Sequence, residues 1–128
     1  MDAAALLALR RKARRMEVEV EPGKFVVVEA LTTKTAARLF REIRGESNTE
    51  RAYAVSEVAT IGWKGFTESD LIVSGASDLV DFDKSLFLDV IAEHPGWAIT
   101  IADALMARYL KDSDREAEDE KNSATTST

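Results

Sequence analysis

The chain has no cysteine, a single histidine, and fewer positive than negative charges. The absence of cysteine excludes disulfides, thiolate metal sites and cysteine nucleophiles. With His94 alone, a Ser-His-Asp triad and a histidine metal site would both depend on one side chain. The net charge of −6 disfavours nucleic acid as a partner of the whole molecule, although a local basic patch could still bind it. Long apolar runs are also missing. The first, Ala3 to Leu9, falls far short of the roughly 20 residues that span a bilayer. It also precedes its positive charges, Arg10, Arg11, Lys12, Arg14 and Arg15, which reverses the order of a signal peptide. A soluble, intracellular protein is expected, opening with a short amphipathic helix or a frayed arm over 1–15.

What is present suits one domain. The chain has 128 residues, of which 45% are apolar and 31% charged. "MEVEVE" (16–21) alternates Met16, Val18 and Val20 with glutamates, the period of a half-buried strand. Pro22 and Gly23 then give a type II turn signal, and "FVVVEAL" (25–31) reads as the returning strand. A hairpin over 16–30 is therefore predicted, and two strands alone are marginal in water, so it must lie on helices. Thr32 or Thr33 can cap a helix over about 33–44, with Ala36, Leu39, Phe40 and Ile43 on one face and Gly45 as its stop. Ser47 and Glu50 have capping-box spacing ahead of a helix over 48–61, with Ala54, Val55, Val58 and Ile61 as its stripe. Asp83 suits the N-cap of a helix over 83–94, with Phe82 and Phe87 as a staple and Leu86, Phe87, Val90 and Ile91 buried. Pro95 opens another, over 95–111, with Trp97, Ala98, Ile101, Leu105 and Tyr109 as core candidates. Residues 112–128 form an acidic, polar tail. It lacks the apolar surface to offset ordering, so disorder is expected from about residue 114, with room for a frayed helical extension before it. The fold class is mainly α (α+β): an N-terminal β-hairpin packed on about four helices, with a disordered acidic C-terminal tail.

"IGWKGFTESDL" (61–71) is the stretch that most resembles a ligand loop. A phosphate-binding loop needs a glycine, four residues and then Gly-Lys-Ser/Thr between a strand and a helix. Here Gly62 and Gly65 enclose only Trp63 and Lys64, Phe66 follows, and the predicted preceding element is a helix. The structural alternative has Gly62 closing a helix in the left-handed region, Trp63 dropping into the core, and Gly65 permitting a second turn. Other chemistry is equally thin. Asp81 and Asp83 are more simply a helix cap, the tail carboxylates lack ordered geometry for a cation, and His94 suits a helix end. No catalytic, cofactor or metal site is expected, and no enzyme. The run from Arg10 to Arg15 could contact phosphates or, being opposite in sign to the tail, could let one subunit meet the acidic end of another. A plainly solvated end is the competing reading.

Taken in order, "VEVEPGKFVVVEAL", a helix opening with threonines, "GWKGFT", "VDFDKSLFLDVIAEHPGWAITIADAL" and a tail containing "EDEKNS" resemble a tail assembly chaperone of long-tailed, non-contractile bacteriophages. The resemblance covers roughly residues 16–122. It implies a mainly helical protein that coats the long tape measure protein until tail tube subunits polymerise around it. It also implies a homo-oligomer stacked as a ring or spiral, located in the host cytoplasm and absent from the finished virion. A longer product of a minus-one ribosomal frameshift would recruit tail tube protein. Glu120-Lys121-Asn122 can be encoded GAA AAA AAC, which contains A AAA AAC, a heptamer of the X XXY YYZ slippery form in the right frame.

A chaperone of this kind must offer apolar surface to an amphipathic helix while staying soluble by charge. Leu71, Ile72, Val73 and Phe66 are the candidate partner-binding residues, with Trp63 or Trp97 added if exposed; the alternative is that all of these residues are core. Arg10, Arg11, Arg14 and Arg15 are the candidates for self-association. Other readings are a different morphogenesis protein, such as a tail terminator or head–tail connector, a nucleic-acid-binding regulator using the basic arm, and a small hydrolase using His94.

Overall fold

The computed structural model describes the backbone of residues 1–126 and, apart from residues 113 and 116, the side chains as far as Lys121. The order is α1 (Ala3–Ala13), β1 (Arg15–Glu21), β2 (Lys24–Glu29), α2 (Thr33–Glu42), α3 (Asn48–Ala59), β3 (Thr60–Lys64), α4 (Glu68–Leu71), α5 (Lys84–Ile91) and α6 (Pro95–Thr126). The protein is therefore α+β with its sheet near the N-terminus.

The hairpin forms as the alternation requires. β1 and β2 pair antiparallel with Val18 opposite Val26 and Met16 opposite Val28, and Gly23 takes φ +79° in the turn. A third strand joins it that the sequence does not announce: β3 pairs antiparallel with β2, placing Trp63 opposite Val26 and Gly62 opposite Val27. Val18, Val26 and Trp63 thus make one row across the sheet, on the face that meets the helices. This corrects the reading of residues 48–61 as one helix closed by Gly62. α3 ends at Ala59, Thr60 is already extended, and Gly62 is a strand residue outside the positive-φ region. The physical reason lies in pairing: the free edge of β2 satisfies the backbone of residues 60–64, which periodicity within that segment alone cannot reveal.

Helix caps follow the sequence closely. Thr32 accepts from the Thr35 N–H, Ser47 from Glu50 and Asp83 from Leu86, at 3.2, 3.2 and 2.9 Å. Gly45 takes φ +95° after α2. The last carbonyls of α3 are met from another element. Lys84 Nζ donates to the Glu57 carbonyl and, at 2.8 Å, to that of Thr60. Burial pushes the Lys84 ammonium down from its usual value, with Glu57 pushing partly back.

The buried stripe of α3 differs from the predicted one. Ala52, Ser56 and Ala59 face inward, whereas Val58 and Ile61 are exposed. Small residues let α3 approach α6 closely enough for Ser56 Oγ to donate to the Ala98 carbonyl at 3.0 Å. On α6, Ala98, Ile101 and Leu105 complete that contact. Trp63, Phe66, Phe82, Phe87 and Trp97 form an aromatic cluster beside it. Trp63 stacks on Phe66 at 4.7 Å and meets Phe82 edge-on at 5.4 Å, and its Nε1 donates to the Val80 carbonyl at 2.8 Å. The Phe82–Phe87 staple is present, with ring centroids 5.8 Å apart. α6 does not stop at residue 111 but runs to Thr126, and its described side chains from Lys111 to Lys121 are all exposed. The part of the tail expectation that concerns residues 127 and 128 lies outside the described residues. No helix among the described residues is long and apolar enough to cross a membrane.

Candidate helix-binding groove

α2 is amphipathic and well capped, and its backbone makes few close approaches to the sheet, α3 and α6. Its inner residues Ala36, Leu39 and Ile43 are buried, but Phe40 is turned toward an open groove between α2, α3 and α6. The groove encloses about 670 Å³. Ala30, Leu31, Ala52, Val55 and Leu105 line it from the core side. Phe40 of α2 and Ile99, Met106 and Tyr109 of α6 line it too, and these four remain 40–47% exposed, so a docked apolar face would remove much further surface from water. Ile99, Ala102, Met106 and Tyr109 follow helical spacing, next to the buried stripe of Ala98, Ile101 and Leu105. α6 therefore carries an apolar arc wider than its internal packing uses. Arg44, Arg51, Asp103, Arg108 and Asp112 add charge of both signs to the lining. An apolar floor with mixed charge around it is the form of a protein-binding surface.

The predicted partner-binding residues separate. Phe66 is 1% exposed and stacked inside the aromatic cluster, which removes it from the surface; the same packing buries Trp63. Leu71 is half-buried at the end of α4, whereas Ile72 and Val73 are exposed. The predicted irregular stretch is a tight loop. Glu68 N–H donates to the Asp78 carbonyl at 3.0 Å, Ser69 to Ala76 at 2.9 Å, Gly75 to Ile72 at 3.0 Å and Val80 to Phe66 at 2.9 Å. A Cβ on Gly75 would lie 2.3 Å from the Glu68 carbonyl carbon, so the close crossing of the loop needs glycine. Asp70 fixes the near end. It accepts from Thr67 N–H and Oγ1, both at 2.8 Å, and lies 3.3 Å from Lys24 Nζ in the hairpin turn. The Thr67 bonds hold the Asp70 carboxyl below its usual value, and Asp70 in turn raises Lys24. Ile72 and Val73 thus form a second, smaller apolar tip on an ordered loop, and Leu79, opposite Thr67, is exposed at its base. None of Leu71, Ile72 or Val73 lines the groove.

The basic residues are also divided. Arg10 and Arg11 are exposed in the last turn of α1, Arg14 is its half-buried C-cap, and Arg15 is exposed at the start of β1 opposite Glu29. α1 itself buries none of its residues. His94 lies between α5 and α6 with its ring stacked on Trp97 at 3.8 Å. Among the described residues no group of three or more His, Asp or Glu is placed to hold a metal ion. The sequence holds one signal for the groove, the extra apolar positions Ile99, Ala102 and Met106 beside the packed stripe of α6. No family model, curated protein or solved structure matches the chain.

Proposed function

We propose that the protein is a non-enzymatic tail assembly chaperone of a long-tailed phage, and that its groove holds an amphipathic helix of the tape measure protein. The observation that carries this reading is the half-exposed apolar surface of Phe40, Ile99, Met106 and Tyr109, held in a concave groove with charge around it. Helix-in-groove recognition needs such a strip, and a holdase must keep it wet without losing solubility. The net charge of −6 and the acidic extension of α6 supply that solubility. Ile72 and Val73 are a second client contact, reached by another stretch of the same long helical partner. The protein works in the host cytoplasm, leaves before the virion is complete, and recruits tail tube subunits through a frameshifted longer form.

The gene tests this directly. A slippery heptamer over the codons for Glu120 to Asn122, an open minus-one frame and a very long helical reading frame downstream are expected. The absence of any long coiled-coil-like neighbour would overturn the reading. Mass spectrometry of purified particles separates it from a tail terminator or connector, which would be found in the virion.

A further inference from the structure

We propose that the groove also receives helix α1 of a second copy of this chain, so that copies associate head to tail and a client helix must displace α1. The contact itself stands apart from the function proposed above; only the displacement by a client rests on that reading.

α1 is a complete helix without a home. Asp2 caps it, accepting from Ala5 N–H at 2.8 Å, and all its residues are exposed, including Leu6, Leu7 and Leu9 at 46–52%. Helices shorter than about 12–15 residues are marginal in water by themselves, and the 11 residues of α1 fall below that range. Its order therefore calls for an apolar surface, and its own chain buries none of its residues. The end of α1 is tied down, since Arg108 Nη2 donates to the Ala13 carbonyl at 2.6 Å. One end of the helix is thus anchored on α6 of its own chain, while its leucines stay about half exposed.

The groove offers the complement. α1 is about 16 Å long at ~1.5 Å per residue, a length suited to laying its leucines along Phe40, Met106 and Tyr109. Charge favours the same pairing. Arg10, Arg11 and Lys12 close α1, while α6 continues past the groove's rim at Asp112 with Asp114, Glu118, Asp119 and Glu120 exposed. Placing the leucines in the groove lets the basic turn face this acidic extension, and like charges would oppose the reverse arrangement. Joined head to tail through these two different surfaces, a pair leaves one copy with a free groove and the other with a free α1, so further copies can add.

The test uses the full chain without any client. Sedimentation of wild-type protein at low salt is expected to show self-association beyond a dimer, weakening as added salt screens the exposed charges. Leu6→Glu/Leu9→Glu, altering α1, and Met106→Glu, altering the groove, are each expected to sediment as monomers, with a circular dichroism spectrum that loses no more helix than the undocked α1 accounts for. Phe40→Glu serves as the second groove variant if Met106→Glu proves unfolded. Mixed one to one, the α1 variant supplies an intact groove and the groove variant an intact α1, so heterodimers form and nothing larger. A monomeric wild type, variants that associate like wild type, or a mixture of folded variants that stays monomeric would each overturn the proposal. Because no client is present, a failure of the chaperone reading leaves these outcomes unaffected.

Discussion

Trp63 answers what the two glycines around it are for. Its indole joins the aromatic cluster and its Nε1 reaches the Val80 carbonyl, so the residue ties β3 to the chain before α5. Trp63→Ala should cost about 3–5 kcal/mol, read as a lower melting temperature. Gly65 takes φ +81°, and a Cβ there would lie 2.1 Å from the Gly23 carbonyl oxygen, so this glycine permits a backbone crossing and has no need of a ligand. Asp70 sets a pH dependence. Its folded-state carboxyl is held below the ordinary aspartate value by Thr67 and Lys24, so its contribution is present above that ordinary value and is lost as pH falls through the lower folded value. Asp70→Asn should flatten the acid side of the stability profile relative to wild type, as measured by melting at a series of pH values below about 4. Equal acid slopes for the two proteins would contradict this assignment.

The elements show which parts of the fold are written locally. The β1–β2 hairpin, the caps of α2, α3 and α5, and the Phe82 staple depend on neighbours within a few residues, and each is legible in the sequence. β3 is not, because its pairing partner lies in β2, some thirty to forty residues earlier in the chain. The inward face of α3 is also obscured. Apolar periodicity favours Val58 and Ile61, but close approach to α6 selects Ala52, Ser56 and Ala59 for their size. Ser56→Leu should therefore destabilise by about 1–3 kcal/mol through overpacking. Val58→Ser, at a position 49% exposed, should stay within about 0.5 kcal/mol. Denaturant titration of the two variants checks the order, which is the reverse of what hydrophobicity alone implies. The same limit applies to the groove. Its α6 wall is visible as surplus apolar residues, but its existence depends on how far α2 stands from the body, which no local pattern encodes.

The whole molecule combines an ordered body with apolar surfaces left open, namely the groove, the Ile72–Val73 tip and the leucines of α1. A negative overall charge and an exposed acidic end to α6 offset the resulting tendency to aggregate. That balance suits a protein whose task is to hold another protein. Phe66 is closed off by its stacking on Trp63 and its edge contact with Trp97, so Phe40 and Met106 of the groove are the residues to alter. The most direct measurement is the soluble yield of the long helical client that the proposed function expects to be encoded downstream, co-expressed with this chain and with its Phe40→Glu/Met106→Glu variant. The account predicts a soluble complex with the wild-type chain, and loss of most of it with the folded variant. A client equally soluble with wild type, with the variant and with neither would contradict the claim that this groove holds it.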